Sequence, residues 1–74
     1  MTQKEFTSEA IEEIIGYIST YAKKEDYGHF LTSFFETFQR ADMFNRKILK
    51  EAAIQLINKY DLDTHAKEYK DGLR

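Results

Sequence analysis

The chain contains no cysteine, no proline and no tryptophan, and its three glycines stand apart at positions 16, 28 and 72. Without cysteine there are no disulfides and no thiolate zinc or iron–sulfur centres. Without proline, and with so few glycines, there is no Pro-rich or Gly-rich linker to divide the chain, and residues 1–74 are expected to form a single small helical domain. No run of eighteen apolar residues occurs, so no membrane-spanning helix is expected. The opening Met-Thr-Gln-Lys-Glu-Phe is polar where a signal peptide carries an apolar core, and the expected location is cytoplasmic. No internal repeat is present.

Chemical signatures are equally scarce. There is no Gly-x-Ser-x-Gly, no glycine-rich phosphate loop, and only two histidines, at positions 29 and 65. Nucleophilic catalysis needs an oriented base beside the nucleophile, and the sequence offers none. The expectation is a non-enzymatic protein without a cofactor. Two groupings come nearest to chemistry. Glu5, Glu9, Glu12 and Glu13 open the first helix, where carboxylates complement the positive end of the helix dipole. Asp61, Asp63, His65 and Glu68 carry ligand-type atoms, but an EF-hand starting at Asp61 would need glycine at 66 and glutamate at 72, which are Ala66 and Gly72. Both histidines are expected on exposed surface, and no metal site is assigned.

What the chain does have is apolar and aromatic density. Six phenylalanines and five tyrosines fall in 74 residues, and such rings bury large areas in a small core. Phe30, Leu31, Phe34, Phe35 and Phe38 fall within nine positions at the spacing of a broad apolar helix face. The first helix is predicted over residues 7–23, with Thr7 as N-cap and Phe6 stapled onto Ile11. A capping box of Thr2 and Glu5 offers an earlier start. Its inner face is Ile11, Ile14, Ile15, Ile18, Tyr21 and Ala22, widened by Phe6, Ala10 and Tyr17.

The second helix is predicted over 27–40 with Asp26 as its cap. The third spans 43–60, capped by Asp42. No glycine or proline separates the two, so a single bent helix is the alternative. The inner face of the third helix is read as Ile48, Leu49, Ala52, Ala53, Leu56, Ile57 and Tyr60. The small Ala52 and Ala53 would admit the phenylalanines of the second helix. A short fourth helix runs from Thr64 to Asp71, capped by Asp63 and ended by Gly72. Its contacts are Leu62, Ala66, Tyr69 and Leu73. The fold class is therefore all-α, a compact bundle of three antiparallel helices plus a short C-terminal fourth helix.

Net charge is −2 and unevenly spread. Residues 1–38 carry three basic and seven acidic groups, net −4, whereas residues 39–74 carry eight basic and six acidic groups, net +2. Two surfaces follow. Met43 and Ile54 fall off the inner face of the third helix, on the side that carries Lys47 and Lys50. An apolar pair rimmed by cations is the composition of a protein contact. This favours a protein-interaction module, a small regulator, inhibitor or adaptor, whose partner is another protein or a second copy in a homodimer. Alternatively, Arg40, Asn45, Arg46, Lys47 and Lys50 gather around the joint of helices 2 and 3. There they would grip phosphate and reach a base edge, as in a nucleic-acid-binding accessory or transcriptional regulator. The acidic balance of the whole chain weighs against that second reading.

Overall fold

Each helix begins where the sequence supplies an acceptor for its orphan amides. Residues 3–73 are described by the computed structural model, which holds four helices and no strand among them: α1 (Ser8–Tyr21), α2 (Lys24–Arg40), α3 (Met43–Tyr60) and α4 (Leu62–Lys70). The chain is an all-α bundle. Its radius of gyration is 11.6 Å, against about 11 Å for a compact chain of this length. None of the described helices is long and apolar enough to cross a membrane.

Thr7 caps α1, its Oγ1 accepting from the Ala10 amide at 3.1 Å, and Phe6 packs onto the core beside it. Thr2, and with it the alternative capping box, lies outside the described residues. Asp42 caps α3 as predicted, accepting from the Asn45 amide at 2.8 Å. Residues 41 and 42 are a true break: Ala41 is extended (φ −70°, ψ 141°), so α2 and α3 are separate helices rather than one bent rod. Gly72 (φ 73°) ends α4, with the Leu73 amide donating to the Glu68 carbonyl and the Gly72 amide to that of Tyr69. This double closure satisfies the last carbonyls of the helix.

Three boundaries differ from expectation. α1 ends at Tyr21 rather than 23, because Ala22 is already extended (φ −79°, ψ 146°). α2 starts at Lys24 rather than 27, and Asp26 sits in its first turn instead of before it. The Asp26 carboxylate reaches back to accept from the Lys23 amide at 3.1 Å. The reach-back half of a capping box thus does the work assigned to an N-cap. Gly28 then interrupts the helical dihedrals (φ 75°, ψ 176°), so one turn is offset from the rest of α2. At the other joint, Asp61 alone reverses the chain in the left-handed conformation (φ 54°, ψ 40°). α4 therefore begins at Leu62, and Asp63 lies inside its first turn instead of capping it. Asp is among the few residues that tolerate this conformation.

α1 is the hub. It touches α2, α3 and most extensively α4, while α3 packs on α4 and α1. Ile11, Ile14, Ile15 and Ile18 of α1 are buried, against Leu31, Phe35 and Phe38 of α2, Ala53 and Ile57 of α3, and Leu62 and Ala66 of α4. Burying one such large side chain is worth about 1.5–3 kcal/mol, a large share of the about 4–11 kcal/mol of net stability a chain of this length has. Tyr21, assigned to the inner face of α1, instead stands exposed and stacks between Tyr17 and Tyr69, with ring centroids 6.0 and 6.4 Å away.

α3 departs most from its predicted packing. Ala53 and Ile57 are buried as expected, and Leu49 and Leu56 pack against the core. Ile48, however, is 75% exposed, Ala52 is exposed and Tyr60 lies at the surface. Ile54 takes their place against the core. The buried face is turned towards α4 and α1 rather than α2, so the phenylalanines of α2 do not insert at Ala52. Phe30 is itself left 65% exposed.

Candidate docking surface on α3

The joint between α2 and α3 is held by one side chain. Arg46, in the first turns of α3, donates from Nε to the Phe38 carbonyl at 3.1 Å and from Nη2 to the Gln39 carbonyl at 2.9 Å. Its Nη1 pairs with Glu12 on α1. The guanidinium also lies over the Phe38 ring, 5.4 Å from its centre. The planar fork of arginine suits this, since it closes the open carbonyls at the C-terminus of α2 while meeting a carboxylate. Arg46 is therefore a structural tie. Of the acidic group on α1, Glu12 serves that tie and Glu13 pairs with Lys70 at 3.5 Å.

The other predicted site residues divide. Met43, Lys47 and Lys50 recur at helical spacing on one row of α3, and they line a groove with Arg46. The groove is about 350 Å³. Ile11, Phe38 and Ala41 form its apolar floor, and Ser8 and Glu12 of α1 form the opposite wall. Ile54 does not join them. It packs against the core, beside the segment before α1. That segment is pinned there by Asn58, whose Nδ2 donates to the carbonyls of Lys4 and Ile54, while its Oδ1 accepts from the Lys4 amide, all at 2.9 Å. Arg40 and Asn45 are exposed at the joint, and the Asn45 amide is taken by Asp42. Among the described residues neither Lys47 nor Lys50 has an ion-pair partner.

The sequence pattern assigns Ile48 to the inner face of α3 and gives Phe44 no role, yet both stand at the surface. Phe44 is 75% exposed, as is Ile48 one turn later, and Met43, on the row that carries Lys47, is 70% exposed. Phe44 precedes buried Ala53 by nine residues, and Ile48 precedes buried Ile57 by the same interval. Nine residues make about two and a half turns, so each exposed side chain points away from its buried counterpart. α3 therefore carries two opposed apolar faces, one buried and one bare. The signal was available in that spacing: apolar residues run nearly all round α3, so two stripes fit it equally well and periodicity alone does not choose between them.

The histidines also divide. His29 is exposed as expected, but His65 is half-buried, its Nδ1 hydrogen-bonded to the Tyr27 hydroxyl at 2.9 Å, which ties the start of α2 to α4. The pattern of α4 alone leaves His65 in solvent; contact with Tyr27 of α2 covers it. Asp63 pairs with Lys4 at 3.1 Å. Among the described residues no three metal-binding side chains converge.

Compared with known proteins, the chain matches no family model, no curated protein and no solved structure.

Proposed function

We propose that the chain is a non-enzymatic interaction module, a small regulator, inhibitor or adaptor, that docks on another protein through the outer face of α3. The observation that carries this reading is the pair Phe44 and Ile48, bare and adjacent on a helix whose opposite side already builds the core. Leaving two large apolar side chains side by side in water forgoes stabilisation that burial against a partner recovers, at about 1.5–3 kcal/mol per fully covered side chain. Lys47, exposed on the adjoining row of α3, gives the patch a polar edge.

The nucleic-acid reading comes second. It retains Arg40, Asn45, Lys47 and Lys50, but Arg46 is engaged by α1 and α2. A phosphate backbone gives Phe44 and Ile48 nothing to bury against.

The test is the double variant Phe44→Asp with Ile48→Asp. Tagged wild-type and variant proteins are used to recover partners from cells of the source organism, and both are sedimented alone at several concentrations. The expected result is a protein recovered in stoichiometric amount by the wild type and lost by the variant, or a wild-type dimer that the variant dissociates. Identical recovery and identical mass for the two proteins would overturn the reading.

A further inference from the structure

The groove beside this face has its own chemistry. It lies where the start of α1, the end of α2 and the start of α3 converge. Buried Ile11 and Phe38 line its floor, and Lys47 and Lys50 stand on the α3 wall. At about 350 Å³ it has room for one bulky side chain such as leucine, phenylalanine or tryptophan. Its charges are of one dominant sign. Glu12 is drawn onto Arg46, which leaves two lysines unpaired among the described residues.

We infer that this groove receives an acidic segment of a partner protein. One bulky apolar residue of that segment inserts between Ala41 and Met43, and flanking aspartates or glutamates reach Lys47 and Lys50. The inference rests on the interaction reading above and adds the partner's chemistry to it. Two arguments select this occupant. Lys47 and Lys50 lie one turn apart on a single row of α3 and have no ion-pair partner among the described residues, so two carboxylates of one segment can meet both. A second copy of this chain is a poorer fit. A symmetric pairing of copies through this groove would bring the same lysines face to face, and like charges so placed cost binding energy.

The experiment pans a displayed library of random twelve-residue peptides against the wild-type protein and synthesises the strongest binder. Its affinity is measured for the wild type, for Lys47→Glu with Lys50→Glu, for Ala41→Leu, which fills the groove, and for Phe44→Asp with Ile48→Asp. Circular dichroism of each variant verifies the fold. The expected binders carry a bulky apolar residue with at least two acidic residues within four positions of it. Affinity falls at least tenfold in the lysine and Ala41→Leu variants, and amide resonances of Met43 and Lys47 shift on titration. Binders without acidic residues, or binding unchanged by the lysine and Ala41→Leu variants, would overturn the inference. Two further outcomes also overturn it: a library that returns no binder, and duplex DNA competing at the same residues. Binders lost only in the Phe44→Asp, Ile48→Asp variant would sink the groove and leave the interaction reading standing. Failure of the interaction reading is registered separately, by unchanged partner recovery and mass in that variant.

Discussion

The guanidinium of Arg46 lies 5.4 Å from the centre of the Phe38 ring while its Nε donates to the carbonyl of that same residue at 3.1 Å. One residue of α3 thus grips both the side chain and the backbone of the last turn of α2, and its far end reaches Glu12 on α1. The tie matters because α2 and α3 share little other packing, and it fixes one wall of the groove. Arg46→Ala is expected to cost about 1–3 kcal/mol, from the lost hydrogen bonds to the Phe38 and Gln39 carbonyls and the lost pair with Glu12. That lowers the melting midpoint by about 4–8 °C per kcal/mol in a domain of this size. Arg46→Lys recovers only part of the loss, because an ammonium keeps the charge but not the fork. Thermal melts of the two variants check this.

The glycines of α1 and α2 should respond in opposite directions to the same substitution. Gly28 occupies dihedrals (φ 75°, ψ 176°) that are essentially closed to other residues, so Gly28→Ala is expected to destabilise by about 1–3 kcal/mol. Gly16 lies inside α1, and beyond its own helix backbone an added Cβ would meet nothing within 4 Å, so Gly16→Ala is expected to stabilise by about 0.5–1 kcal/mol. Urea denaturation of both variants would reveal the split in sign.

Ile48 and Ile54 are identical in type and six positions apart in one helix, yet they stand in different surroundings. Ile54→Asp places a carboxylate against the core and is expected to cost at least about 2 kcal/mol. Ile48→Asp is expected to change stability by less than about 0.5 kcal/mol. Equal costs in denaturant titrations would contradict the two-faced description of α3.

Tyr27 and His65 bridge α2 and α4 over 38 residues of sequence. Tyr27→Phe keeps the ring that packs edge-on to Phe35 and removes only the hydroxyl, so it is expected to cost about 0.5–1.5 kcal/mol. Combined with His65→Ala, the two losses should sum to more than the double variant shows, by an amount that measures the bond.

The parts of this fold legible in the sequence are those set by neighbours in the chain. Thr7, Asp42 and Gly72 end or start helices through contacts three to five residues away, and the isoleucines of α1 form a single stripe with one reading. The sequence pattern makes Asp26 and Asp63 N-caps, whereas Lys23 and Asp61 hold those positions. The place of Asp26 and Asp63 within the first turn depends on where the backbone turns at Lys23 and Asp61. The candidate site was legible only in part. Met43, Lys47 and Lys50 share a helix row and do line one groove. The structural engagement of Arg46 and the packing of Ile54 against the core are set by other helices and by the segment before α1, which no local pattern encodes. The bare face at Phe44 and Ile48 was hidden by abundance. A helix apolar on two sides gives periodicity no single answer, and its partner helices decide which side is buried.

The most direct test of the docking account is photocrosslinking in cells of the source organism, with a benzophenone amino acid placed at Phe44, at Ile48, and at the exposed, remote Thr20 on α1. The account predicts a discrete protein adduct of one mass from positions 44 and 48 and none from position 20. No adduct at 44 and 48, or the same smear of products from all three positions, would contradict it.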